Sequence, residues 1–313
     1  MSNVVIVDSA CDLPESILRS KFVSVLPLNV NIGSRRQRDA FSAAERLQLL
    51  RTGAISIKQN DYSAPATREQ IIDYLTKQIV PNYDFAMVQT VARSRSPQFE
   101  MWYEVNLSYS AHYRQYRKND TTFTLRTTDS GTMFTGQGLM ALNALHLIQR
   151  RTNHRDLINQ CKEFTRHIQS YSAPADLHYM RERTRQKGDR SISWLSANLG
   201  KALNISPIVY GGQNTTESVA KVKGHTNAIN RIVEHAIESI EMGLQTPFVS
   251  VAYAGDLNDL NDLEKFTQLK QVAKKKNVRV ATSVATLSTM INLGPGNFSL
   301  AVAPNDPTFK IAA

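Results

Sequence analysis

The chain has only two cysteines in 313 residues, Cys11 and Cys161, far apart, with no CxxC spacing and no adjoining cluster of histidines. That excludes a disulfide framework and gives no zinc-site pattern; both read as packed thiols. No stretch approaches the roughly 20 apolar residues a membrane-spanning helix needs. The N-terminus runs straight into Val4-Val5-Ile6-Val7 with neither a basic leader nor a small-residue cleavage site, so the expectation is a cytoplasmic protein. The seven histidines form no HExxH pattern, and there is no G-x-S-x-G elbow. Gly131 to Gly136 has the glycine spacing of a phosphate loop but lacks its Lys-Ser/Thr. On these grounds no catalytic residue, metal or cofactor is assigned.

What is present is enough apolar residue, 42%, for a sizeable core, in a chain longer than one average domain needs. Two domains are expected, 1–168 and 169–313. The net charge of +10 sits largely in Arg35-Arg36-Gln-Arg38, in Arg114-Gln-Tyr-Arg117-Lys118, in 181–190 and in Lys274-Lys275-Lys276. Such a field attracts polyanions, an anionic membrane surface or an acidic partner. No helix-turn-helix, RNA-recognition or zinc-finger pattern accompanies it, so a solvated basic face is preferred to a specific nucleic-acid site.

The first half alternates strand and helix signals at the spacing that builds a parallel sheet with helices on both faces. Val4-Val5-Ile6-Val7 reads as a buried strand ending in Asp8-Ser9, and 122–127 as another ending at Asp129-Ser130-Gly131. The carboxyl edge of such a sheet is where ligands bind; the plainer reading is that these residues tie down turns. Asp12 with Glu15, Ser42 with Glu45, and Thr67 with Gln70 carry capping-box spacing. Gly53 ends one helix, and 54–66 reads as a loop. Pro97 opens a helix to about Tyr116; further helices are expected over 134–150, 155–168, 176–186, 226–242 and 257–275. Strands are expected at 84–90, 205–210, 218–222, 248–254 and 278–282, with a loop around Ser172-Ala-Pro174. The second half therefore reads as an α+β unit with its own core.

Gly136-Gln-Gly138-Leu-Met-Ala141 formally fits a dinucleotide fingerprint, but it falls inside or at the mouth of a helix, where close helix packing is the better reading. Asp8, Asp129, Asp256 and Asp259 are acids at strand ends, which more often cap helices than gather round a metal. Three loops are expected to converge at the sheet's carboxyl edge: Asp61-Tyr62-Ser63-Ala64-Pro65, 91–96, and Asp129-Ser130-Gly131. They offer hydroxyls, guanidinium and amide donors without a nucleophile or base, which suits holding an anion.

Val7-Asp8-Ser9-Ala-Cys-Asp-Leu-Pro14 resembles the V-D-S-T/S-A-D-L-P opening of the DegV family of fatty-acid-binding proteins. Tyr62-Ser-Ala-Pro65-Ala66 is similar to that family's T-S-Q-P-S, and Asp129-Ser130 with Gly136-Gln-Gly138-Leu139 to its D-S-x-x-x-S-x-G-x-G-L. Gly188-Asp-Arg190-Ser-Ile192-Ser matches G-G-R-I-S, and Asn204-Ile-Ser-Pro207, Lys221-Val-Lys-Gly224 and Gly294-Pro295-Gly296 continue in order. The resemblance implies two α/β domains, an N-terminal parallel-sheet α/β/α domain and a C-terminal α+β domain, with an apolar tunnel between them. It further implies non-catalytic binding of one long-chain fatty acid whose carboxylate is presented to a separate fatty-acid kinase for phospholipid synthesis. By the same resemblance Tyr62, Ser63, Arg93, Ser94, Ser130 and Asn292 hold the head group, and Asp8, Ser9, Asp129 and Gly296 form its edge.

The chain departs from the family at the head group. Tyr62 replaces a threonine, the S-S-G-L-S-G-T run becomes Ala92-Arg93-Ser94-Arg95-Ser96-Pro97-Gln98, and Asn292 takes the place of a histidine in H-x-G-P-G. An inward Arg93 would clamp a carboxylate or phosphate; the alternative is that Arg93 and Arg95 keep their heads in water. A different anionic-headed lipid, a hydrolase or transferase on the Asp8/Asp129 edge, and a polyanion-binding module built on 181–190 remain open as rivals.

Overall fold

The structure, a computed structural model, describes residues 2–57, 61–118, 120–186 and 204–311. The stretch resembling G-G-R-I-S, 188–193, lies outside the described residues. Strands are numbered in chain order. Strands β1 (Asn3–Asp8) and β2 (Val23–Leu26) belong to one sheet; β3 (Asn29–Ile32), β4 (Arg35–Arg38) and β5 (Tyr62–Ala64) form a second. Strands β6 (Phe85–Thr90) and β7 (Thr124–Asp129) complete the first, in the order β2-β1-β6-β7, all parallel. A third sheet has the order β10-β9-β8-β13-β11-β12. Its strands are β8 (Gln169–Ala173), β9 (Ile205–Gly212), β10 (Thr215–Lys223), β11 (Phe248–Tyr253), β12 (Arg279–Val284) and β13 (Phe298–Val302). Only its β11–β12 pair is parallel.

The continuous apolar runs of β1 and β6 follow from burial on both faces. Val4, Ile6, Ala86 and Val88 pack with Ile71, Tyr74, Trp102 and Val105 from helices Arg68–Tyr74 and Gln98–Tyr109. Val5, Val7, Phe85 and Met87 face the opposite way, onto helices Thr135–Gln149 and His154–Phe164. Helix Thr135–Gln149 is buried almost all round because it also meets the third sheet, with Ala281, Ala301 and Ala303 in the same cluster. The other face of the third sheet packs Tyr171, Ile208, Val249, Val251 and Leu300 against helices His225–Met242 and Glu264–Lys275.

Both capping boxes at Ser42 and Thr67 form as read. Three expectations are corrected. The loop at 54–66 contains β5, which pairs antiparallel with β3. The segment around Ser172 is a fully buried strand, β8, between β9 and β13. Its hydroxyls read as loop, but each finds a partner within the fold: Ser172 Oγ with Ser299 Oγ at 2.8 Å, Ser170 Oγ with Thr135 Oγ1 at 3.1 Å. The helix expected over 257–275 is two, Leu257–Asn261 and Glu264–Lys275, broken where Leu263 turns extended. Among the described residues no helix is long and apolar enough to cross a membrane.

Candidate functional site

Where the carboxyl edge of the parallel sheet, the small β3/β5 sheet and the inner face of the third sheet meet, they leave a cavity of about 710 Å³. From the first sheet come Ala10 and the loop that follows β6, including Val91 and Ser94 to Gln98; from the small sheet, Ser63 and its neighbours; from helix Leu287–Leu293, Ser288, Asn292 and Leu293. Met180, Val209 and Leu293 form an apolar cluster with Phe134 and Leu177 packed against it, and all of these but Leu177 line the wall. Phe134 stands in the left-handed region, φ 53°, where a non-glycine residue is strained. The volume is within the range of small-molecule sites, and the lining mixes this apolar cluster with many hydroxyl, amide and guanidinium groups.

Of the residues singled out by sequence, Ser63, Ser94 and Asn292 line the cavity. Asn292 Nδ2 donates to Ser63 Oγ at 3.2 Å and to Ser288 O at 2.6 Å, and Ser94 Oγ donates to Asn214 O at 3.1 Å. Arg93 does not line it, a correction to the inward placement. Its guanidinium pairs with Glu100 at 2.6 Å and lies over the Phe99 ring, 4.4 Å from the centroid, with half its side chain in solvent. Two residues on, Arg95 lines the cavity and is half-buried. Nothing in a run of Arg-Ser-Arg-Ser separates the two, because a loop has no periodicity to say which side faces in.

Tyr62, Ser130 and Gly296 are likewise not on the cavity wall. Tyr62 is 38% exposed. Ser130 is fully buried, exchanging hydrogen bonds with Thr132 across its turn. Gly296, with φ 75°, closes a turn by donating to Ala254 O at 2.8 Å. Asp129 organises the loops behind the wall: Oδ1 accepts from the amides of Gly131 (2.9 Å) and Arg93 (3.3 Å), and Oδ2 from Asn214 Nδ2 (3.4 Å). Asp8 caps the turn Ser9–Cys11 through Ala10 N at 2.7 Å and accepts from Gln137 Nε2 at 3.0 Å. Burial raises its pKa to about 6 against those bonds. Ser9 Oγ donates to Asp39 Oδ2 at 2.9 Å and accepts from Leu28 N at 3.1 Å.

Asp12 is a further correction. Helix Glu15–Leu18 has Pro14, without a side-chain bond, at its N-cap, and Glu15 instead accepts from Ala43 N at 2.8 Å. Asp12, wholly buried with φ 48°, accepts from Thr286 N (2.8 Å) and Thr289 Oγ1 (2.8 Å) at the start of helix Leu287–Leu293. The glycines of Gly136-Gln-Gly138 serve packing: a Cβ on Gly138 would lie 2.3 Å from Cys11 O. Asp256 caps helix Leu257–Asn261 and pairs with Arg51. Among the described residues, no three His, Cys, Asp or Glu side chains group as a metal site.

The architecture is that of an α/β protein of three sheets, with an amphipathic cavity where they meet. The family model described as "Uncharacterised protein, DegV family" matches residues 2–305, so the chain belongs to the DegV family. A DegV domain-containing protein of Xanthomonas campestris pv. campestris is 30% identical over 309 residues, 98% of each chain. Among solved structures, a DegV family protein of Ruminococcus gnavus, refined with vaccenic acid, aligns with TM-score 0.74 at 14% identity over 96% of this chain and 99% of its own. DegV of Bacillus subtilis, described as a fatty acid binding protein, aligns with TM-score 0.72 at 17% identity over 97% of this chain and all of its own.

Proposed function

We propose that this protein binds a long-chain fatty acid, leaves it chemically unchanged, and presents its carboxylate to a partner enzyme such as a fatty-acid kinase. The supporting observation is the cavity itself, with an apolar cluster of Met180, Val209, Leu293 and Phe134 on its wall and Ser63, Ser94, Arg95 and Asn292 among its polar groups. Each methylene taken from water contributes about 0.8 kcal/mol, whereas the carboxylate must keep hydrogen bonds. The tail therefore occupies the apolar cluster and the head group the hydroxyl, amide and guanidinium groups. In this reading Arg95 carries the role that the family resemblance implies for Arg93, and Ser63, Ser94 and Asn292 are head-group residues. The apolar tunnel lies between an N-terminal unit of 1–168 and a C-terminal unit of 169–313, and the carrier works in the cytoplasm.

The test is a titration of a long-chain fatty acid against the wild type, Arg95→Ala and Arg93→Ala. A hydrogen bond to a charged group carries about 1.5–3 kcal/mol, so Arg95→Ala weakens binding about ten- to a hundredfold while Arg93→Ala leaves it unchanged. A wild-type protein that binds no fatty acid overturns the reading. Loss of binding in Arg93→Ala with Arg95→Ala intact overturns only the choice of arginine.

A further inference from the structure

Helix Leu287–Leu293 forms one wall of the cavity with Ser288, Asn292 and Leu293, yet its N-terminal end is held from the far side of the chain. Asp12 bonds Thr286 N and Thr289 Oγ1. Asp12 O accepts from Ser283 Oγ at 2.6 Å. Asp39 Oδ2 accepts from Ser288 Oγ at 2.9 Å and Ser288 N at 3.2 Å, as well as from Ser9 Oγ. Asp39 N also donates to Leu28 O at 2.8 Å, and Leu28 is on the cavity wall. Asp39 thus joins two lining residues, Ser288 and Leu28, while Asp12 holds the start of the same helix, and neither carboxylate lines the cavity itself.

A second observation sits beside them. Arg46, in helix Ala43–Arg51, is 4% exposed, and its Nε has no hydrogen-bond partner. Its charge acts on Asp12, Asp39 and Glu15. A buried guanidinium with an unused donor, whose charge reaches carboxylates that bond Thr286, Thr289 and Ser288 instead, is costly as it stands. It becomes useful if the carboxylates lose their hydroxyl and amide donors.

We propose that Asp12 and Asp39 are positioning residues that clamp helix Leu287–Leu293 over the cavity, and that Arg46 receives their carboxylates when the helix lifts, so that the trio sets the rate of ligand release. The clamped state is bonded through 286–289; the lifted state exchanges those bonds for Arg46. Deleting a carboxylate and deleting the guanidinium therefore act in opposite directions, which a general loss of packing would not produce. The proposal rests on the fatty-acid-binding reading for its ligand, but not for its clamp.

The experiment has two readouts on the full chain: hydrogen exchange of the 286–293 amides without ligand, and stopped-flow release of parinaric acid, a fluorescent fatty acid. In Asp39→Ala, which removes the bonds from both Ser288 N and Ser288 Oγ, both become at least about tenfold faster, the factor expected for a single charge-assisted bond. Asp39→Asn, which keeps a carbonyl acceptor, recovers part of the change and tests the clamp where the alanine variant folds poorly. Arg46→Met slows both. Unchanged exchange in Asp39→Ala, or the same sign in Asp39→Ala and Arg46→Met, overturns the clamp. If wild type does not bind parinaric acid while the exchange pattern appears as stated, the clamp stands and the fatty-acid reading fails.

Discussion

Replacing Gly138 by alanine separates two meanings of a glycine in this sequence. In an exposed helix interior the change would stabilise by about 0.8–1 kcal/mol, because glycine is the poorer helix former. At Gly138 the new Cβ would lie 2.3 Å from the backbone oxygen of Cys11, 3.2 Å from Ser250 Oγ and 3.4 Å from a Leu13 methyl. The nearest atom is main chain in the turn that follows β1, so no rotamer change relieves it, and the helix must move off both sheets. Overpacking of this kind costs about 1–3 kcal/mol, and the backbone neighbour puts the cost at the upper end. The propensity gain offsets about 1 kcal/mol, leaving a net loss of about 2 kcal/mol. At roughly 2–4 °C per kcal/mol, the melting temperature falls by about 4–8 °C. Urea unfolding followed by circular dichroism measures the loss directly. A variant as stable as the wild type would refute the packing account and reopen the reading of Gly136 and Gly138 as a ligand-approach turn.

Two further outcomes follow from buried charge. Asp8 has an ordinary value of 3.8 that burial raises to about 6; the stability it contributes is full below about 3.8 and is lost as pH rises through about 6. Asp8→Asn keeps the shape without the charge, so the variant gains on wild type as pH rises from about 3.8 to about 6 in paired urea midpoints, and a pH-independent difference contradicts the assignment. Arg117, 3% exposed, pairs with Asp84 at 2.6 Å and also donates to Val80 O and Tyr83 O. Burial alone would raise the Asp84 pKa, but bonds from Ser2, Thr121 and Arg117 outweigh it and hold the value near about 2. Arg117→Ala removes one of the bonds to Asp84, which keeps those from Ser2 and Thr121, and costs about 1.5–3 kcal/mol in thermal or urea unfolding; a loss under 1 kcal/mol argues that the pair is wet.

The parallel sheet was legible because its information is local. The unbroken run of β1, the strand at Phe85–Thr90 and the Ser42 and Thr67 capping boxes are all written within a few residues. What escaped depends on partners far away in sequence. Asp12 carries capping-box spacing toward Glu15, but its carboxylate is used by Thr286 and Thr289, more than 270 residues on. β8 reads as polar until Ser299 and Thr135 are seen to take its hydroxyls. Helix Leu287–Leu293, one cavity wall, spans only about two turns, too few for a periodic apolar signal. At the head group the residue types were legible and their direction was not: Arg93 finds Glu100 and Phe99 one turn into the following helix, leaving the inward position to Arg95.

The central claim is that the cavity holds a fatty acid. Denaturing extraction of the purified protein followed by lipid mass spectrometry tests it most directly, because a cavity with an apolar wall retains a tail at about 0.8 kcal/mol per methylene. The account predicts a near-stoichiometric long-chain acid from the expression host. A protein that is empty on extraction and also fails to take up added fatty acid would contradict it.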